Sequence, residues 1–426
     1  MKVRPLTIVV GVFAVIALTA HGTDHAPSPG VHAGEPAPAI VSAPGTPVTE
    51  GVLLRHDVSR PQRYRLVSVN DQEISLDGRL ARIAQIVTRV RFEQEPADDV
   101  AIVDAEFFLT ESDRRSGEAV GVTDRYTSTF TRTTRGSMSI DERYLMPVVR
   151  DFPSFPEEAV SPGSEWFAPA WEVHDLSEGY GLTDPLVFEA VASYRYVGEE
   201  IWNGRTRHRI DARYGIAHRE RRDAAVYPET VTGESRQRLY WDNTAGRLAG
   251  VEEEYWIQFV LSTGQTILYE GMARTEVIDA QPIDRPETIR RLEEEVSRRG
   301  IRDVVVEEDD EGVSIVLEDV RFPPDSAELL PAERERLQRI GELLERWRGH
   351  DILVTGHTAL AGTAAGRQAL SMERARRVGE FLIAEGVRDP EAVLYRGVGA
   401  AEPRGDNSTE EGRRRNRRVE ITILEN

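Results

Sequence analysis

The chain has 426 residues, enough for two or three domains with ordinary cores. Lys and Arg number 53 against 73 Asp and Glu, a formal charge of -20 that argues against a general nucleic-acid binder, whose footprint is basic. There is no cysteine, which removes disulfides, thiolate metal sites, thiol nucleophiles and the lipid-bearing cysteine of a bacterial lipoprotein.

The opening "MKVRP" gives a basic flank to the apolar run Leu6 to Ala20, which is short for a membrane span and fits a secretory signal over 1–22. Cleavage before Thr23 releases an exported protein; retention keeps the run as an anchor. Residues 23–50 are rich in Pro, Ala and Gly and read as a semi-rigid linker.

From 51 to 280 the hydrophobic period is two, which predicts a β-rich domain of half-buried antiparallel strands. In "ARIAQIVTRVRFEQ", Ala84, Ile86, Thr88, Val90 and Phe92 share one face, and Gln85, Arg89 and Arg91 the other. In "AIVDAEFFLT", Val103, Ala105, Phe107 and Leu109 alternate with Ile102, Asp104, Glu106 and Phe108. Turns at Asn243 to Gly246 and at Thr263-Gly264 predict two hairpins. The Pro-rich stretch 152–175 contains Trp166, read as a core residue at the end of a long connection, and it is a candidate boundary, near 150–165, between two subdomains. "NGRTRHRIDARYGIAHRERRDAAV" places arginines on both strand faces, which argues against a lipid-facing barrel.

Residues 281–312 read as a connecting helix, with Pro286 near its start, Ile289, Leu292 and Val296 on one stripe and Gly300 at its end, then the solvated turn "EEDDEG". From 313 to 426 strands alternate with helices: "VSIVLEDVRF", a helix from Pro331 with Leu337, Ile340, Leu344 and Trp347 inward, "DILVTG", a helix over "SMERARRVGEFLIAEG", then "AVLYRGVG" and "RRVEITILE". In this reading Ser371 caps the second helix and Arg374 lies in its first turn, where a cation opposes the macrodipole. Either a bound carboxylate or a local salt bridge, for example to Glu373, compensates it.

The segments "FPPDSAEL", "VTGHT", "ALSMERARRV", "RGVGAAEP" and "NSTEEGRRRNRRVEI" resemble, in order and spacing, the OmpA-like C-terminal domain. The predicted fold class is therefore multidomain α+β: an antiparallel β-rich N-terminal region, then an OmpA-like βαβαββ two-layer α/β sandwich. The resemblance implies noncovalent binding of the peptidoglycan stem peptide, without a cofactor or metal. It assigns Phe322, Asp325 and Ser326 to a first groove loop and Thr358 to a second. Leu370, Ser371 and Arg374 match the family's "Leu-Ser-x-x-Arg-Ala", with the arginine on a carboxylate of the stem's diamino acid, and Asn416, Arg417 and Arg418 match its "Asn-Arg-Arg-Val". Two positions depart. Ala359 stands where the family has the Asp that meets the diamino acid's ammonium, and Arg367 stands where it has Asn.

Three readings of the groove follow: peptidoglycan binding with changed contacts, binding of a stem without the usual diamino acid, or a scaffold for an envelope protein partner. No Gly-x-Ser-x-Gly elbow, His-Glu-x-x-His or phosphate loop is present, so no enzyme is expected. The β-rich module is expected to bind either a hydrophobic ligand, as a periplasmic lipid carrier would, or a protein partner.

Overall fold

The computed structural model describes residues 51–113, 118–180, 182–279, 283–309, 311–318, 320 and 329–425. The export signal and linker lie outside these residues, as do Phe322, Asp325 and Ser326. The N-terminal module is one sheet. Its strands are β1 (Gln62–Leu76), β2 (Arg79–Ala97), β3 (Val100–Asp113), β4 (Glu118–Thr133), β5 (Met138–Ile140), β6 (Val149–Arg150) and β7 (Glu165–His174). After a helical turn α1 (Ser177–Tyr180) come β8 (Leu186–Trp202), β9 (Arg205–Arg219), β10 (Pro228–Asp242), β11 (Arg247–Leu261) and β12 (Thr266–Asp279).

The order is β5-β4-β3-β2-β1-β12-β11-β10-β9-β8-β7-β6, with every neighbouring pair antiparallel. Tight turns drive this meander: Asp77-Gly78 and Asn203-Gly204 both take positive φ, as a two-residue hairpin turn requires. Strands on both sides of 150–165 join the same sheet and the same core, so the candidate subdomain boundary falls inside a continuous structure. Trp166 is a core residue, stacked on Tyr194 at 5.2 Å with its indole N-H donating to the Ser154 carbonyl at 2.8 Å.

One expectation about β9 is corrected. Its arginines at 205, 207, 209, 213 and 219 all fall on odd positions, hence on the outer face, while Ile210, Ala212, Tyr214 and Ile216 are buried inside. Period-two alternation, not a mixture of faces, accommodates the charge.

The C-terminal unit begins with α2 (Arg285–Arg298), capped by the Asp284 carboxylate accepting from Glu287 N-H. It continues with β13 (Val304–Glu308), β14 (Gly312–Glu318), α3 (Pro331–Leu344), β15 (Ile352–Gly356), α4 (Ala364–Ala384), β16 (Val393–Gly397), α5 (Glu410–Asn416) and β17 (Arg418–Leu424). The sheet order is β13-β14-β17-β15-β16, with β15 and β16 parallel. Strand β13 is an addition to the expected set: Glu307 and Glu308, read as part of a solvated turn, pair with Ser314 and Val313, and Asp309 closes the hairpin by accepting from Glu311 and Gly312 N-H. Helices α2 to α4 cover one face through Leu292, Leu337, Ile340, Val378 and Leu382. Among the described residues no helix is long and apolar enough to cross a membrane.

The helix-free face of that sheet rests on the outer face of β1 to β4. Leu353, Leu394 and Leu424 enclose Phe108, so a side chain on the outer face of β3 is only 8% exposed. Around it, Asp351 takes Arg65 at 2.7 Å and Arg89 at 3.6 Å, and Glu311 takes Arg396 at 2.9 Å and Arg125 at 3.8 Å. Beside this contact a cleft of about 470 Å³ separates the rest of the two surfaces. Removing one partner of a buried ionic cluster leaves uncompensated charge, at a cost of about 3 kcal/mol. Asp351→Asn is therefore expected to loosen the docking and split calorimetric unfolding into separate transitions for the two units; a single unchanged transition would show that Asp351 does not couple them.

Candidate binding groove of the C-terminal domain

The groove region is built where two strands end under a helix. Strands β15 and β16 finish in Gly356 and Gly397, and α4 lies directly on both. A Cβ at Gly356 would stand 2.0 Å from the Ser371 carbonyl oxygen, and one at Gly397 would stand 2.5 Å from Met372 N. Only glycine permits this approach, and it places the loops after both strands beside the helix.

Hydrogen bonds then join loop to helix. Thr358 N-H donates to Gly399 O at 2.8 Å, Gly399 N-H donates to Ser371 Oγ at 2.9 Å, and the Ser371 hydroxyl donates to Gln368 O at 2.9 Å. Arg367 lies against Gly399 and donates to Gly362 O at 2.6 Å. Thr358, Arg367 and Ser371 are thus gathered around Gly399. Arg374 follows one turn after Ser371, and Leu370 is half-buried just before it. Ser371, Arg374, Thr358 and Ala359 are all buried, and the Thr358 hydroxyl has no hydrogen-bond partner among the described residues. A buried hydroxyl without a partner costs about 1 to 3 kcal/mol.

The helix start expected at Ser371 is wrong. Helix α4 begins at Ala364, with Thr363 as its cap accepting from Gly366 N-H at 3.1 Å. "AAGRQAL" adds two helical turns, so Ser371 bonds back to a carbonyl inside the helix and Arg374 lies well beyond the first turn. The macrodipole argument for Arg374 does not apply, because that field acts within the terminal turn.

The "Asn-Arg-Arg" residues divide. Asn416 is a clamp: its Oδ1 accepts from Arg404 and Gly405 N-H, and its Nδ2 donates to Gly405 O and Asn407 Oδ1. Asn407 Oδ1 in turn accepts from Leu360 N-H at 2.9 Å, so Asn416 shapes the Thr358 loop at second hand. Sequence reasoning missed Asn407, and its position after "RGD" in a loop offered no periodic signal. Arg417 pairs with Glu410, and Arg413 and Arg415 with Glu410 and Glu411, so these members of the basic run are matched locally by α5's own acids.

Arg418 is buried and donates to Glu420 at 2.8 Å, with Arg404 at 3.0 Å and His357 Nε2 at 3.5 Å from the same oxygen. Burial opposes ionisation of Glu420, but His357 and Arg418 overcome it and hold the carboxyl down at about 2. Burial pushes the His357 imidazole below its ordinary value. His357 is therefore a strand-end structural residue of the "Gly-His-Thr" segment.

Gly356→Ala would press a methyl onto helix backbone and is expected to lower the stability of the C-terminal unit by about 3 kcal/mol, read as a lower urea midpoint. Glu420 is depressed in the fold, so its stabilisation is complete above the ordinary carboxyl value of 4.5 and is lost as pH falls through about 2. In denaturation series from pH about 5 to about 2, Glu420→Gln should flatten the stability slope by roughly 3 kcal/mol over that window; an unchanged slope would remove Glu420 from the acid response.

A model of the OmpA family matches residues 321–417. Over 104 residues the chain is 35% identical to Peptidoglycan-binding protein ArfA of Mycobacterium tuberculosis, covering 24% of this chain and 32% of that protein. It is 38% identical over 104 residues to Probable lipoprotein YiaD of Escherichia coli, covering 24% of this chain and 47% of that one. An outer membrane protein structure from Borrelia burgdorferi B31 is 34% identical, covering 28% of this chain and 96% of that one, at a TM-score of 0.24. The chain thus spans about a third to a half of the length of these curated relatives. Residues 321–417 of this chain are an OmpA family domain.

Proposed function

We propose that this is a non-catalytic, exported protein of the cell envelope, located in the periplasm, whose OmpA family domain binds the peptidoglycan stem peptide with modified specificity and tethers the β-rich module. One observation carries the reading: Arg374 is kept at the position where the family's arginine holds a stem carboxylate, buried in α4 one turn beyond the Ser371–Gly399–Thr358 chain. The Thr358 hydroxyl, without a hydrogen-bond partner among the described residues, supports it, because it offers a polar group at the same loop. Ala359 removes the family's carboxylate for the stem ammonium, a charged contact whose loss weakens binding by roughly ten- to a hundredfold. The cell wall presents its ligand many times over, so weak single contacts still tether. The β-rich module is the part delivered by this anchor, and its ligand is a protein or an apolar molecule.

The test is cosedimentation of the full chain with purified sacculi. Arg374→Ala is expected to reduce the bound fraction at least tenfold and Ala359→Asp to raise it, with circular dichroism showing both variants folded at the assay temperature. A parent protein that does not sediment, even with sacculi from its own source, would overturn the wall-binding reading in favour of a scaffold for an envelope protein.

A further inference from the structure

The outer face of β7 and β8 carries an apolar surface that none of the described residues covers. Phe167 is 66% exposed, Val191 62%, Val187 44% and Trp171 39%. The strand register places them together, with Phe167 opposite Ser193, Pro169 opposite Val191 and Trp171 opposite Glu189. Scattered exposed hydrophobics need no explanation, but a contiguous group on two neighbouring strands marks a contact surface. It lies on the opposite arm of the sheet from the arm that holds the C-terminal domain.

Two features define the occupant. Strand β6 pairs with β7 only at Val149↔Glu172 and Arg150↔Trp171, so β7 is a sheet edge over most of its length. Pro169 lacks the N-H that an added strand would use, and the contact is therefore made by the face rather than the edge. The second feature is the outward sequence of β8, which reads Val187, Glu189, Val191, Ser193, Arg195, Val197. This row is self-complementary about Ala192: valine mirrors valine at its ends, and glutamate mirrors arginine within. Arg195 makes no ion pair among the described residues, although Glu165 and Asp211 flank it in the register, so its exposed guanidinium stays available to the Glu189 of a second copy. Charge of both signs beside an apolar centre, in a chain of net charge -20, fits a protein surface and not an anionic bilayer.

We propose that this face is a homodimer interface, in which a second copy stacks its own β7 and β8 around a two-fold axis lying between the sheets and crossing β8 at Ala192. The axis sets Arg195 against Glu189 of the second copy, and Phe167 against the second copy's Pro169. Isologous contacts of this kind are the commonest route to soluble oligomers, and stacked sheets pack face to face with interdigitated side chains. The dimer leaves both OmpA family domains on the outer arms, so one particle presents two anchors to the wall, a gain that rests on the proposed wall binding although the dimer itself does not.

Sedimentation velocity of the full chain over a concentration series tests this. The parent is expected to move from the 47.8 kDa monomer to twice that mass. Val191→Arg, an exposed change that leaves the core untouched, should abolish the shift. Glu189→Arg and Arg195→Glu should each weaken dimerisation by about tenfold or more, because each sets like charges across the axis. Combining the two in one chain should restore it. A parent that stays monomeric, a dimer indifferent to Val191→Arg, or single swaps that the double swap does not rescue would each overturn the proposal. A monomer that instead sediments with phosphatidylglycerol vesicles in a Val191-dependent way would assign the face to lipid, which also overturns it.

Discussion

The antiparallel pairing of β1 with β12, running from Tyr64↔Asp279 to Leu76↔Ile267, is the constraint on which the rest of the molecule depends. It joins the first strand of the module to the last, so two short meanders become one curved sheet with a common interior. It also fixes where the chain leaves. Asp279, the end of β12, lies beside Tyr64, and α2 begins six residues later at Arg285. The C-terminal unit is thereby delivered to the outer surface of β1 to β4. Non-local pairing of this kind has a high entropic cost of closure, and it is recovered only by the many ladder bonds and the shared core that follow.

That delivery explains side chains whose burial contradicts their strand position. Arg89 and Phe108 both point outward from the sheet, and a period-two reading assigns them to solvent. Both are buried because a second domain covers them. Phe108 supplies the apolar centre, with Arg91 and Arg125 over its ring at 5.2 and 5.5 Å, while Asp351 holds Arg65 and Arg89 and Glu311 holds Arg125. Ionic contacts at such a boundary give orientation more than net stability, since desolvation offsets much of the attraction. Their consequence here is geometric: the loops after β15 and β16 belong to a unit held in a set direction relative to the β module.

Much of the fold was legible because alternation and helical periodicity report burial directly. The inward rows of β2 and β3, both hairpin turns and the stripes of α3 and α4 follow from residue type alone. What stayed hidden depended on other chain segments. Strand β13, "VVVEE", is short and runs straight into the acidic "DDEG" turn, and it pairs along the edge that β14 offers. The start of α4 was misplaced because Thr363 and Ser371 are both good caps, and local sequence does not say which one has free N-H groups behind it. The site was legible in its identities through the family resemblance, but not in its divisions of labour. Asn416 shapes a loop and Arg418 satisfies Glu420, while Ser371 ties α4 to the Gly399 and Thr358 loops and Arg374 follows one turn on.

Ala359 has a structural as well as a chemical meaning. A buried carboxylate at that position would need partners in the free protein, and the loop's strongest donors are already committed: Leu360 N-H to Asn407, and Arg404 and Arg418 to Glu420. Nearby, Arg367 spends its guanidinium on Gly362 O, which tightens the loop from the helix side. With alanine at 359 the loop is closed by backbone and amide contacts and needs no ligand cation to balance a buried negative charge. A domain with an acid there is stabilised by an ammonium-bearing ligand; a domain with alanine is complete without one. Under the proposed wall binding, the alanine moves recognition from a zwitterion toward the carboxylate end of the ligand, the part assigned to Arg374.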